Sequence, residues 1–220
     1  MTPPARTAQG PEPPRRAMPY VAIAGNVGTG KTTLAGVLAD RLQIDLMLES
    51  VDDNPYLSRF YEDMRAWVFH LNMYFLGTRS QQLLEAMNGA RPCICDRSLY
   101  EDKLFVDMAL TEGVTTAENY GTFRQLYDVL EVALPRPALL IYLSAPPDIL
   151  AERVVSRGRP YEQGISLEYL VRLQRRYDAW INAYALSPVL RLDTTRTTWH
   201  GDEAAQASVT TAVAAALGIA

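Results

Sequence analysis

The stretch Gly25-Asn26-Val27-Gly28-Thr29-Gly30-Lys31-Thr32-Thr33 has residue types and a spacing that specify chemistry directly. It is G-x-x-x-x-G-K-[ST], and the chemistry is the holding of a nucleoside triphosphate. Its glycines let the backbone curl around a phosphate without Cβ clashes. The freed N–H groups, together with the start of a helix, then face the anion. Lys31 reaches the terminal phosphates and the Thr32 hydroxyl ligates Mg²⁺, so ATP and Mg²⁺ are the expected cofactors. No guanine-reading N-K-x-D segment follows, and a motor or transporter ATPase is normally larger than 220 residues. Small-molecule kinases remain.

An acceptor site requires a group for a hydroxyl and cations for the moving phosphoryl group. Glu49 stands where an apolar segment ends, a position facing the ligand crevice in a parallel sheet, and could take a hydroxyl proton. Asp96-Arg97 closes another apolar segment; Asp96 is the expected second magnesium-holding group, and Arg97 the transition-state cation. Ser98-Leu99-Tyr100-Glu101 reads as a capping box, which accounts for Ser98 and Glu101 structurally. Asp102 lies one turn further, beside the crevice. Asn72 and Arg79 are seven apart on one helix face, flanked by Val68 and Phe75, which suits a nucleobase pocket. Phe60, Trp67 and Tyr74 share the same spacing and read most simply as core. Arg153 and Arg157 lie on one helix face, with Arg159 just beyond Gly158, and three converging guanidiniums describe a lid that closes on triphosphate. His70 and His200 show no ligand spacing and read as structural.

These side chains need rigid elements behind them. YVAIAG, DLMLE, CICD, ALLIYLS and VLRLD are short apolar strands. Helical patterns alternate with them: TTLAGVLADRL, about 55–88, 99–110, 117–134, PPDILAERVVSRG, about 166–185, and an Ala-rich C-terminal helix. The alternation predicts an α/β fold with a parallel sheet between helices. Residues 1–17, rich in Pro and polar groups, are expected to be a flexible tail, with 18–220 a single domain. A net charge of -4 argues against general nucleic-acid or anionic-membrane binding. Cys93 and Cys95 are too close in sequence for an easy disulfide and read as buried apolar residues. With no run of 18 apolar residues and no apolar leader, a cytoplasmic protein is expected.

The segments GNVGTGKTT, ESVDDNPYL, FYEDMRAWVF, YFLGTRSQQ, DRSLYED and ERVVSRGRPYEQGISLEYL occur in order between about residues 20 and 180. Together they resemble the deoxynucleoside kinase family, particularly its bacterial deoxyadenosine/deoxyguanosine kinase branch. The resemblance implies a P-loop NTPase fold, a five-stranded parallel sheet of order 2-3-1-4-5, and a homodimer formed through long helices, with an unlike dimer also open. It implies ATP-dependent 5′-phosphorylation of a deoxynucleoside, a purine one, in nucleotide salvage. By the same resemblance Glu49 is the general base, Lys31 and Arg97 hold the phosphoryl group, and Asp96 lies near Mg²⁺. Tyr61 and Glu162 bind the sugar 3′-OH, Arg79 and Asp102 reach the base edge, and Trp67 lines the pocket. Arg153, Arg157 and Arg159 belong to a lid at about 153–164. Two departures stand out: Ser50 replaces the proline of Glu-Pro-Val, and Asn72 replaces a glutamine that bonds the base. The motifs leave two other readings open. One is a thymidylate-type nucleotide kinase, which would need a cation for the acceptor phosphate where Glu49 stands. The other is a non-catalytic nucleotide-binding regulatory subunit.

Overall fold

The structure, a computed structural model, describes residues 18–219 apart from 50, 52, 163, 198 and 200. The expected 1–17 tail, the Ser50 departure and His200 therefore lie outside the described residues. Five strands, β1 (Tyr20–Gly25), β2 (Asp45–Met47), β3 (Cys93–Asp96), β4 (Leu139–Ser144) and β5 (Val189–Asp193), form one sheet of order 2-3-1-4-5. Every pairing is parallel, as the strand–helix alternation predicts. β1 is the central strand and all its residues are buried. That explains why YVAIAG reads as a continuous apolar run.

Alternation along the strands divides the core. Tyr20, Ala22 and Ala24 face one cluster, completed by helices α3 (Met64–Asn88), α4 (Asp102–Thr111), α5 (Ala117–Ala133) and α7 (Leu167–Ala183). Val21 and Ile23 face the other, built with α1 (Lys31–Leu42) and α8 (Glu203–Leu217). The remaining helices are α2 (Leu57–Glu62) and α6 (Pro147–Arg157). Cys93 and Cys95 are free thiols buried in the sheet.

The single helix expected over 55–88 is two. Asp63 is extended (φ -145°, ψ 91°) and its carboxylate accepts the Ala66 N–H, so it caps α3 and ends α2. The break gives Phe60 a different helix from Trp67 and Tyr74, so their sevenfold spacing does not make a shared core face. All three are only partly buried. The helix expected over 99–110 begins as a 3₁₀ turn, Leu99–Glu101, before α4. Its capping box forms as the sequence predicts.

The turn out of β1 needs glycine at its first position. Gly25 has φ +151°, and a Cβ there would run into the Leu143 carbonyl of β4. Gly25→Ala should cost about 2–4 kcal/mol, the range for a packing clash compounded by backbone strain. Thermal unfolding would show this as a Tm lower by several degrees.

Candidate active site

Parallel strands place their C-terminal ends on one edge of the sheet, and the candidate residues gather there. β1 delivers the glycine-rich loop into α1, β2 leads to Glu49, and β3 ends at Asp96 and Arg97. A cavity of about 500 Å³ joins them, within the usual range for small-molecule sites. Its lining includes Val27, Gly28, Gly30, Lys31, Thr32, Thr33, Glu49, Tyr61, Asn72, Arg79, Asp96, Arg97, Asp102, Arg157, Arg159 and Glu162.

Gly25, Asn26 and Thr29 do not line the cavity but hold the loop from behind. The Asn26 amide donates to Leu170 O (3.0 Å) and Gln174 Oε1 (3.2 Å) on α7, and its Oδ1 accepts the Val27 N–H. The Thr29 hydroxyl donates to Asn26 O. Lys31 Nζ donates to the carbonyls of Gly25 (2.7 Å) and Asn26 (2.9 Å). Burial, helped by nearby Arg97, brings its pKa down from 10.5 to about 8. The Thr32 hydroxyl donates to Asp96 Oδ2 at 2.6 Å. Asp96 Oδ1 is buried without a hydrogen-bond partner among the described residues, and burial raises the carboxyl's pKa.

Glu49 lies between two guanidiniums. Arg97 Nε donates to Oε2 at 2.8 Å, and an Arg79 amine donates to Oε1. Burial alone would raise its pKa, but Arg97 and then Arg79 outweigh that and pull it to about 2. Arg79 also pairs with Asp102. Each guanidinium lies over a ring of the cavity wall, Arg79 over Phe75 at 4.9 Å and Arg97 over Phe105 at 5.4 Å. Asn72 donates an amide N–H to Val68 O of its own helix (2.9 Å), which leaves Oδ1 and one N–H to offer. Val68, Leu71 and Phe75 line the cavity around it.

Two predicted residues lie elsewhere. Trp67 is absent from the cavity lining; it packs against Tyr56 and His70 and carries Arg59 over its ring at 4.9 Å. Arg153 bonds Thr194 O (2.6 Å) and Thr194 Oγ1 (3.2 Å) beyond β5. The expected three converging guanidiniums are therefore two in this structure. Arg157 Nε donates to Glu162 Oε2 at 3.0 Å, and Arg159 Nη1 lies 3.7 Å from Glu162 Oε1. Tyr61 lines the same part of the cavity, and burial with nearby Tyr169 and Glu162 keeps its hydroxyl protonated. Sequence reasoning missed Tyr169 and Phe105 in the lining. It also missed the wider contacts of Glu101, whose cap role concealed them.

The deoxynucleoside kinase family profile matches residues 21–217. The chain is 37% identical over 175 residues to a deoxyadenosine/deoxycytidine kinase of Bacillus subtilis, covering 78% of this chain and 81% of the relative. It is 34% identical over 167 residues to a deoxyguanosine kinase of the same organism, covering 74% and 78%. A deoxyadenosine kinase of M. mycoides, solved with dCMP and dCDP, superposes with a TM-score of 0.76 at 29% identity, covering 88% and 97%. The same kinase with dATP gives 0.76 over 86% and 98%.

Lys31 carries its charge below its pKa of about 8 in the free protein. Affinity of the loop for a polyphosphate should therefore fall as pH rises through about 8, well before an exposed lysine would discharge. Calorimetric titration with a non-hydrolysable ATP analogue between pH 6.5 and 9.5 checks this. Linkage gives a further sign: above about pH 8 binding should take up protons, because the anion restores a charge that the free lysine has lost, and well below that pH Lys31 should contribute no uptake.

Proposed function

The chain belongs to the deoxynucleoside kinase family, whose reaction is phosphorylation of a deoxynucleoside, and we propose that its acceptor is a purine deoxynucleoside taking the γ-phosphoryl group of ATP on its 5′-OH. The observation that carries this is the single cavity in which a phosphate loop, Glu49 with Arg97, and a polar pair within apolar walls follow one another. The reaction is a step of nucleotide salvage.

Glu49, with its pKa near 2, is ionised at neutral pH and is an obligatory acceptor. It orients the 5′-OH and receives the proton as the new O–P bond forms and the bond to the leaving ADP breaks. In a loose transition state that transfer comes late, so a weak base suffices and positioning contributes most of the rate. Lys31 and Arg97 neutralise the charge on the moving group. Arg157 and Arg159 are the lid cations; Glu162 holds them until triphosphate competes, and Arg153 anchors the lid's helix to the end of β5. Tyr61 and Glu162 bind the sugar 3′-OH. The unpartnered Asp96 Oδ1 beside the Thr32 hydroxyl suits a divalent cation. Those two residues would hold Mg²⁺, which when bound supplies further positive charge to the phosphates.

At the base end Asn72 offers an oxygen, and Asp102 has Oδ2 buried without a hydrogen-bond partner among the described residues. Arg79 Nε, likewise buried without a hydrogen-bond partner among the described residues, adds a donor beside these acceptors. Adenine's 6-amino group next to a ring nitrogen complements that set, whereas guanine's 6-carbonyl would face the carboxylate, so deoxyadenosine is assigned ahead of deoxyguanosine. We take residues 18–220 as one kinase domain in the cytoplasm, with 153–164 as its lid. Leu126, Val129 and Val132 form an exposed stripe on α5, Val132 being 87% exposed. That stripe supports a homodimer through α5 and its neighbour α3. No helix among the described residues is long and apolar enough to cross a membrane.

Glu49→Gln should lower turnover about 10²- to 10⁴-fold, the range for losing a positioned base. Nucleoside binding should stay within a few-fold, since glutamine keeps the shape; normal turnover would remove Glu49 from this role. Across the four natural deoxynucleosides kcat/KM should be highest for deoxyadenosine, and a preference for deoxyguanosine would overturn the Asn72–Asp102 assignment. By light scattering, the Val129→Asp/Val132→Asp chain should have half the wild-type mass.

A further inference from the structure

We propose that Glu101 is a positioning residue for phosphoryl transfer: its buried carboxylate holds the Arg97 guanidinium at the transfer site while Glu49 turns to the acceptor hydroxyl. The inference rests on the roles given above to Arg97 and Glu49.

Glu101 closes the 3₁₀ turn after β3 and is 0% exposed. Oε1 accepts the Ser98 N–H at 3.1 Å and lies 3.5 Å from Arg97 Nη1. Oε2 accepts the Tyr177 hydroxyl at 2.6 Å and, more distantly, the Gly25 N–H at 3.4 Å. The Ser98 bond is an ordinary capping box, which a glutamine would make equally well. A cap therefore does not require a full negative charge with no access to water, and such a charge is costly without a cationic partner. The cation within ion-pair distance of it is Arg97, with Lys31 a further nearby positive charge.

Arg97 in turn needs more than one anchor. It is a non-glycine residue at φ +119°, a conformation that persists only where the surroundings over-determine it. Its Nε is held by Glu49. Its Nη1 is buried and makes no hydrogen bond among the described residues, yet it faces Glu101 across 3.5 Å. When an acceptor hydroxyl arrives, Glu49 gives up part of its hold on Arg97. A guanidinium tethered only to Glu49 would shift with it. A second carboxylate on another element, itself pinned by Tyr177 of α7 and by the first residue of the phosphate loop, keeps the cation in register with the cradle. Glu101 need not touch either substrate to do this.

The test is steady-state kinetics of the full chain with ATP and deoxyadenosine, as a double-mutant cycle between Glu101→Gln and Arg97→Gln, with Ser98→Ala as the control. Glu101→Gln should lower kcat about 10- to 100-fold, as for loss of preorganised charge, and leave the deoxyadenosine KM within about threefold. Ser98→Ala opens the same cap from its other side; it should lower Tm but keep kcat within about twofold. In the Arg97→Gln background, Glu101→Gln should cost less than about twofold more, because its effect passes through Arg97. Equal losses in both backgrounds, or a kcat loss from Ser98→Ala as large as from Glu101→Gln, would overturn the proposal. Wild-type turnover by Arg97→Gln alone would instead overturn the role of Arg97, and the proposal with it. If Glu101→Gln does not fold, Tyr177→Phe frees Oε2 without changing charge. It should lower kcat about 3- to 10-fold only where Arg97 is present, and no fall would sink the proposal.

Discussion

The grip of Arg97 and Arg79 on the Glu49 carboxylate is the interaction on which the cleft depends. Three cations, Lys31, Arg79 and Arg97, meet four carboxylates, Glu49, Asp96, Glu101 and Asp102, at the edge of a sheet whose interior is apolar. None of these charges could remain there alone, since an unpaired buried ion costs several kcal/mol. Each is stabilised by the others, so the site is charged and ordered before a ligand enters. On the proposed reading, substrate binding is an exchange of partners: a hydroxyl would take part of Glu49, and phosphates would take Lys31 from the carbonyls it now bonds. Only the difference between old and new partners appears as affinity. Groups already aimed at the transfer site act without reorganising during the reaction.

That arrangement is possible because the backbone is held in conformations it would not choose. Gly25 and Arg97, at φ +151° and +119°, stand at the C-terminal ends of β1 and β3, which run side by side with Ile23 opposite Asp96. Glycine at the first position relieves the strain sterically. Arg97 has no such relief, and its side-chain contacts with Glu49 and Glu101 offset the cost. Behind the loop, α7 takes part through Asn26 on Leu170 and Gln174 and through Tyr177 on Glu101. One helix thus supports both the cradle and the cation beside it.

Much of this was readable in the residues. The parallel sheet, the phosphate loop and the shared face of Asn72 and Arg79 follow from periodicities and spacings that local geometry enforces, whereas the strand order came only with the family resemblance. What escaped depends on competition between equally local signals. Asp63 could continue a helix or cap one, and its extended backbone with the Ala66 N–H on its carboxylate makes it the cap. Beyond that break Trp67 lies off the cavity, while Phe60 and Tyr61 of α2 line it. Arg153 and Arg157 share a helix face, yet Thr194 lies within reach of the first and Glu162 of the second. Glu101 was hidden by a correct but incomplete reading, because a capping box names one partner for a carboxylate that has four.

The same accounting explains how the base end can tolerate a shortened side chain. A glutamine at position 72 could reach into the cavity with both its oxygen and its nitrogen. Asparagine, one methylene shorter, instead donates one amide N–H to Val68 O. Leaving that nitrogen unpaired against apolar walls would cost about 1–3 kcal/mol, so the back-bond is the lower-energy choice until a base offers something better. On the proposed reading, discrimination shifts from a bidentate amide to the Arg79–Asp102 pair, whose two charges fix one another and present Asp102 Oδ2 and Arg79 Nε without hydrogen-bond partners of their own among the described residues. A base that meets that pattern replaces nothing and gains two charge-assisted bonds. A base that inverts it leaves buried charges facing like dipoles, and that penalty, more than any lost contact, sets the preference.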